Sequence, residues 1–394
     1  MNPLAVAFMA LQFFPVIHAA SLSDSINTIR SVGAEGKGNA QAAKAWKEIS
    51  KADATVLPQI LTAMKGVSPL AANWLRAAVD TIASRSKDLP EKELLEFISD
   101  HQQDTRARRL AFELIQKTNP KKADNLIPRF LNDPSTELRR EAIAKVIEEG
   151  TRQKDAKQNK PAIKSFRQAL NAARDIDQIQ TTTTALRQLN EKVDLPSHFG
   201  FLMHWNVIGP FDNTERSGFK KIYPPEKSIN FGAVYEGKNG KVKWSEFVTA
   251  DQHGMVDINK AYPGPEDGLK EVTAYAYTEY KASEASEAEL RLGCKNAWKI
   301  WHNGRLIFGR DEYHRGMRID QYRLNLNLNK GRNTLLIKLC QNEQTQPWTK
   351  EWQFQLRICD STGTAVHAAD RPVTPTTGTD NSKSTSKSPR RPRK

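Results

Sequence analysis

Cysteine is scarce in this chain: Cys294, Cys340 and Cys359 are the three in 394 residues, all in the last third. So few thiols exclude a disulfide scaffold, and no Cys-x-x-Cys or zinc-finger spacing occurs. The histidines are scattered, with no His-Glu-x-x-His or His-x-His, so no catalytic metal is expected. A Gly-x-Ser-x-Gly elbow, a phosphate loop and a Gly-x-Gly-x-x-Gly helix opening are also missing, which removes the usual grounds for an enzyme or a bound cofactor. Beyond the N-terminus there is no apolar run of roughly 18 residues, and the mean hydropathy is -0.63, which excludes a multi-span membrane protein. Aromatic residues make up 8% and hydrophobic residues 38%, enough for two or three domains with their own cores.

Residues 4–17 are apolar apart from Gln12 and Pro15 and run into His18-Ala19-Ala20. Small residues after a short apolar core read as a cleaved secretory signal over residues 1–20, although no Lys or Arg precedes it. The mature chain is then expected to be exported, periplasmic or secreted. Residues 371–394 hold seven basic residues and one acid, a net +6 of the chain's +14, with no large apolar residue after Val373. Residues 366–394 therefore read as a disordered basic tail, suited to an anionic polymer or membrane surface. Nucleic acid is an unlikely partner for an exported chain.

From about residue 42 to residue 195 apolar residues fall at helical spacing. Leu57-Pro58-Gln59-Ile60-Leu61 is echoed at Leu94-Leu95-Glu96-Phe97-Ile98 and at Ile127-Pro128-Arg129-Phe130-Leu131. Each echo is followed by a second helix with a small-large pair: Ala78-Val79, Ala111-Phe112 and Ala142-Ile143. Such a period reads as stacked helical hairpins. Asn132-Asp133-Pro134-Ser135 followed by Leu138-Arg139-Arg140-Glu141-Ala142 resembles a HEAT repeat, and residues 162–189 resemble a tetratricopeptide-like hairpin. The resemblance implies an α-solenoid over residues 21–195 whose surface binds an envelope or extracellular protein.

After Pro196 the pattern alternates with period two, and six of the eight tryptophans fall here. Tyr322, Leu324, Leu326 and Leu328 face one way while Arg323, Asn325 and Asn327 face the other. Asn303-Gly304 reads as a two-residue hairpin turn, and Lys330-Gly331-Arg332-Asn333 as a second turn that reverses the chain. An antiparallel jelly-roll β-sandwich is expected over residues 196–365, giving an overall α + β chain. By parity Cys340 joins Lys338, and Cys359 joins Gln355 and Arg357, on outer sheet faces; the two cysteines bridge only if their strands are neighbours, and otherwise stay free thiols.

Trp298-Lys299-Ile300-Trp301-His302-Asn303-Gly304 and the stretch Lys330-Gly331-Arg332-Asn333-Thr334 between two strand-like runs resemble the galactose-binding-like β-sandwich. The opening Trp205-Asn206-Val207-Ile208-Gly209-Pro210-Phe211, with Tyr223-Pro224-Pro225-Glu226, is similar to such modules in exported planctomycete-type proteins, which follow HEAT or tetratricopeptide-like helices. That resemblance implies a recognition module. Relatives carry adjacent acids before the Trp298 strand, where this chain has Gly293-Cys294-Lys295-Asn296, which argues against a calcium site there.

Asp311, Glu312, Tyr313, His314 and Arg315 form the densest polar cluster, open to two readings: a site for a polar ligand, or a solvated, internally paired loop. Trp348, in a loop of Gln, Thr, Pro and Lys, either stacks on a sugar ring or closes one end of the sandwich. Asp212 and Asn213 suit a turn first and a ligand second. The expected function is a non-catalytic interaction protein with a protein-binding solenoid, the alternative a carbohydrate-binding accessory protein that holds polysaccharide through the sandwich loops.

Overall fold

The computed structural model describes residues 16–262, 264–265 and 268–370. The expected signal falls mostly outside these residues, and the tail beyond Asp370 wholly so. The chain divides into two compact units at Lys192/Val193. Among the described residues no helix is long and apolar enough to cross a membrane.

The first unit is helical: α1 (Val16–Arg30), α2 (Asn39–Ile49), α3 (Leu57–Thr62), α4 (Pro69–Arg85), α5 (Glu91–Ser99), α6 (Thr105–Thr118), α7 (Pro120–Leu126), α8 (Thr136–Asp155), α9 (Asn159–Ala172) and α10 (Ile176–Gln188). The longer second helices begin at capping side chains: Ser68 accepts from the Ala71 amide, Asp104 from Arg106 and Ala107, and Ser135 from Leu138. Each cap satisfies amides that the first turn leaves without partners. The first two echoes are the buried stripes of α3 and α5, the third is a 3-10 turn after α7 that buries Ile127 and Phe130, and Leu75, Val79, Ile82, Phe112 and Ile115 answer them from the second helices. Successive second helices are linked by a ladder of ion pairs that no local pattern announces. Arg76 on α4 meets Glu113 on α6 at 2.7 Å, Arg109 on α6 meets Glu141 on α8 at 2.9 Å, and Arg140 on α8 meets Asp177 on α10.

The second unit opens with α11 (Leu195–Phe199) and β1 (His204–Asp212). There follow α12 (Pro224–Lys227), β2 (Val234–Gly237), β3 (Gly240–Lys243), β4 (Ser245–Val248), β5 (Val256–Asp257), β6 (Val272–Ala282) and β7 (Ser286–Cys294). The last strands are β8 (Ala297–His302), β9 (Arg305–Arg310), β10 (Tyr322–Leu328), β11 (Gly331–Gln341) and β12 (Gln353–Cys359). A six-stranded antiparallel sheet runs β4-β1-β6-β11-β8-β9, and a four-stranded one runs β10-β7-β12-β5. Trp205, Trp298, Ile337 and Leu339 from the first sheet and Leu290, Leu292, Phe354 and Ile358 from the second share one apolar cluster, which makes the unit sandwich-like.

Asn303 and Gly304 take φ of 49° and 77°, the left-handed conformations a tight β8–β9 turn demands. The expected second hairpin is different. β10 pairs with β7 and β11 with β6 and β8, so Lys330-Gly331 carries the chain from one sheet to the other. Both strands bury apolar side chains in the same core from opposite sides, a geometry that alternation alone does not separate from a hairpin. Fully buried Asn333 holds this corner: its Nδ2 donates to the Asn329 carbonyl at 2.8 Å and its Oδ1 accepts from the Asn329 amide at 2.9 Å. Asn333→Ala is expected to cost about 1–2 kcal/mol in urea unfolding, because the amide and carbonyl of Asn329 lose their side-chain partner.

The bridge weighed between Cys340 and Cys359 does not form. Their strands lie in different sheets, and all three cysteines are free and buried. Cys340 contacts the Thr273 hydroxyl at 3.4 Å, and burial pushes the thiols up, to about 12 for Cys294 and about 11 for the other two, so they are poor nucleophiles at neutral pH. The expectation that Lys338 and Cys340 face outward is also corrected, because residues 213–244 fold over that face of the six-stranded sheet. Ile208, Phe211, Tyr223, Val242, Trp244, Tyr275 and Leu336 form a second apolar cluster beneath the cover. Lys338, with no side-chain exposure, pins it by donating to Glu226 Oε1 at 2.7 Å and the Lys221 carbonyl at 2.7 Å, with its ammonium over the Tyr223 and Tyr275 rings. Burial pushes the ammonium's pKa down and Glu226 partly restores it. At the C-terminal side, residues 366–370 belong with the sandwich: the Val366 amide donates to Ile358 and the Ala369 amide to Lys281.

Candidate functional site

The register places the ends of seven strands at one rim of the sandwich. Asp212 is opposite Val272, Val272 opposite Gln341, Cys340 opposite Ala297, Trp298 opposite Arg310, and Cys294 opposite Phe354. The loops carrying Asp212, Asn213, residues 311–315 and Trp348 therefore emerge together, although they are far apart in sequence.

Asn213 is fully buried, so it positions rather than contacts. Its Nδ2 donates to the Gln341 carbonyl at 2.8 Å and to the Tyr313 hydroxyl at 3.2 Å, tying β1, β11 and the loop after β9. Gly218 packs against it; a Cβ there would lie 2.5 Å from Thr273 Oγ1 and 2.7 Å from Asn213 Oδ1, which any side chain would violate. Asp212 serves its own turn, accepting from the Thr214 hydroxyl at 2.6 Å and the Thr214 amide at 3.2 Å. That hydroxyl, with Lys238 at 3.4 Å, holds the carboxyl below the usual range.

The polar run separates into two parts. Glu312 is engaged by Arg310 at 2.9 Å and Arg315 at 3.0 Å; the Arg310 hydrogen bond chiefly depresses its pKa, so it is an ionised, paired carboxylate. Asp311 is exposed. Tyr313 and His314 turn inward. The Arg216 guanidinium lies over the Tyr313 ring at 5.3 Å, and Arg216 is itself held by Glu343. His314 Nε2 lies 2.6 Å from Asn342 Oδ1, and burial together with Lys270, Lys295 and Arg216 lowers its pKa, so the ring is neutral at pH 7.

Trp348 does not close the sandwich, since it is 63% exposed. Its turn, Pro347–Thr349, is nevertheless firmly held. The Thr349 carbonyl accepts from Gln341 Nε2 and Lys270 Nζ, each at 2.9 Å, and its hydroxyl donates to the Gln346 carbonyl at 2.7 Å. Beside this turn an open cavity of 370 Å³ is lined by Asn259, Tyr262, Leu269, Lys350 and Glu351. Sequence reasoning missed Arg216, Gln341, Asn342 and Lys270; the amide pair Gln341-Asn342 at the end of a long apolar strand was the available signal. Among the described residues no group of three or more His, Cys, Asp or Glu is placed to hold a metal ion.

No known protein family and no curated protein matches the chain. Among solved structures it is similar to a beta-glucosidase from Kluyveromyces marxianus in complex with glucose, at 10% identity and a TM-score of 0.26, covering 40% of this chain and 16% of that one. It is also similar to a family 35 carbohydrate binding module from Clostridium thermocellum, at 13% identity and a TM-score of 0.18, covering 23% of this chain and 72% of the module. A third is a PA14 sugar-binding domain from an RTX adhesin, at 13% identity and a TM-score of 0.16, covering 24% and 55%. By its own elements the chain has a helical N-terminal part and a β-sandwich-like C-terminal part. Neither the HEAT and tetratricopeptide resemblance nor the planctomycete one finds a match.

Proposed function

We propose that this is an exported, non-catalytic recognition protein whose sandwich rim binds a polyhydroxylated ligand, a polysaccharide, with Trp348 as the stacking platform. The observation that carries this reading is an exposed indole on a turn whose backbone is already fixed by Gln341 and Lys270. A flat apolar face held in place loses little entropy on stacking against a sugar ring. The neutral His314, bonded to Asn342, and the adjoining amides make this part of the rim polar without net charge, which suits hydroxyl groups. The pairing of Glu312 by two arginines supports a binding role over acid-base chemistry. In this reading the sandwich is of jelly-roll type, and the helical unit is a HEAT-like solenoid that presents a protein-binding surface; the regular Arg-to-acid ladder between second helices supports such stacking.

The test is a polysaccharide-binding screen on the full chain with Trp348→Ala beside it. Binding is expected, and the variant is expected to weaken it at least about tenfold, roughly 1.4 kcal/mol, with an unchanged unfolding midpoint because so little of the ring is buried. Equal affinity of both proteins, or no binding to any glycan, would remove the rim from consideration.

A further inference from the structure

Four of the eight exposed large apolar side chains among the described residues lie within one stretch: Ile222, Phe231, Val234 and Val248, at 63%, 47%, 58% and 47% exposure. All but Val248 belong to the cover over the six-stranded sheet, whose inner side is committed to Tyr223, Val242 and Trp244. What the cover shows to solvent is its outer side. On the β2–β3 hairpin that side is defined by register, since buried Val242 lies opposite Tyr235 while Val234 faces Lys243 and Glu236 faces Lys241. The turn before α12 adds exposed Lys220 and Lys221 around Ile222, and Lys227 follows.

The charge on this surface is one-sided. Lys220, Lys221, Lys227, Lys241 and Lys243 are all exposed, and none makes an ion pair among the described residues. Glu226 is consumed by Lys338 and Tyr275, which leaves Glu236 and, on β4, Glu246 as the nearby exposed acids. Lys221 lies over the Tyr223 ring at 5.2 Å, and the remaining exposed lysines with the exposed apolar side chains match an anionic bilayer surface: the lysines reach the headgroup charges while the apolar tips enter the boundary below them. An anionic polysaccharide would engage the lysines but gain nothing from Ile222 or Val234. The latch of Lys338 on Glu226 keeps the cover in place, so the surface is preformed.

We propose that the outer side of residues 220–248 is a docking surface for an anionic lipid membrane, separate from the sandwich rim. The test is co-sedimentation of the full chain with vesicles of phosphatidylcholine alone or with 30% phosphatidylglycerol by design, at about 0.1 M salt. Binding is expected only to the anionic vesicles. Lys241→Glu with Lys243→Glu is expected to weaken it at least about thirtyfold, since each lysine near such a surface contributes roughly a fivefold factor. Ile222→Ser with Val234→Ser, both highly exposed and harmless to the core, is expected to weaken it about tenfold or more. All three proteins share the same basic tail, so vesicle binding unchanged in both variants would assign the affinity to the tail and overturn the proposal. Loss with the lysine variant alone would overturn it too, because the apolar tips would then take no part and the surface would be a general polyanion site.

Discussion

Asp133→Ala is expected to lower the stability of the helical unit by about 3–5 kcal/mol, against a total of roughly 5–15 kcal/mol for an ordinary domain. Arg108 is fully buried and its guanidinium makes a two-pronged contact with Asp133, Nη1 to Oδ1 and Nη2 to Oδ2, each at 2.7 Å. Arg108 Nε also donates to the Ile98 carbonyl at 2.8 Å, which joins α5, α6 and the turn before α8 at one point. Asp133 Oδ1 further accepts from the Ser135 amide at 2.8 Å, and its carbonyl accepts from Arg139. Removing the carboxylate leaves a cation without a counter-charge where water does not reach. Urea unfolding followed by helical circular dichroism would measure the effect. Glu113→Gln, which weakens the partly exposed contacts with Arg76 at 2.7 Å and Arg109 at 3.0 Å, is expected to cost less than about 1 kcal/mol in the same assay. Replacing both buried partners, Arg108→Met with Asp133→Leu, is expected to recover most of the loss, because no unpaired charge remains. If Asp133→Ala matched Glu113→Gln, the buried pair would not be the tie between these helices.

Asp320→Asn is expected to be the corresponding weak point of the sandwich. Arg291 on β7 and Arg357 on β12 stand directly opposite each other, two like charges that would repel at a cross-strand pair. Asp320 sits between them, accepting from Arg357 Nε at 2.7 Å and Nη2 at 2.6 Å and from Arg291 Nη1 at 2.8 Å. Arg357 Nη1 continues to the Phe199 and Gly363 carbonyls, so the same guanidinium ties α11 and the turn after β12. The substitution keeps the backbone conformation, because Asn tolerates the positive φ of 59° at this position. It removes the charge and is expected to cost about 3–5 kcal/mol.

The same carboxylate makes stability depend on acid. Burial alone would raise the pKa of Asp320, but the hydrogen bonds and charges of Arg357 and Arg291 outweigh it and the net shift is downward. A depressed folded value means the contribution is complete above the unfolded value of about 3.9 and is lost as pH falls through the lower folded one. Unfolding midpoints of the sandwich, followed by near-ultraviolet signals from its buried tryptophans, are expected to fall with acidification below about pH 4. The Asp320→Asn profile is expected to lack that component. Parallel profiles would show that Asp320 is not the titrating group.

Some of this was legible before any coordinates. The change from helical to alternating periodicity, the Asn303-Gly304 turn and the one-sided burial of Tyr322–Leu328 follow from short-range rules, and the structure shows each of them. Asp212 with Asn213, the cluster holding Tyr313 and His314, and Trp348 were picked as three separate features, and only the turn role of Asp212 was assigned locally. Asn213 looked like a turn residue and is a buried tie between strands; Glu312, open between a ligand site and an internally paired loop, is paired with Arg310 and Arg315. Parity placed Lys338 and Cys340 on the face opposite Ile337, and that placement holds, yet the face is covered.

What the sequence by itself determined is which segments are helix and which are strand, and which side of each carries the apolar residues, because backbone hydrogen bonding and the spacing of side chains are local. Only the tertiary structure decided that residues 213–244 cover a sheet face, that β10 and β11 part into different sheets, that Arg108 finds Asp133, and that Asp320 stands between Arg291 and Arg357. A hydrophobic pattern records that a face is buried but not against what, and an ion pair between residues 25 to 37 positions apart leaves no periodic trace. Those long-range choices are made by the packing of whole elements.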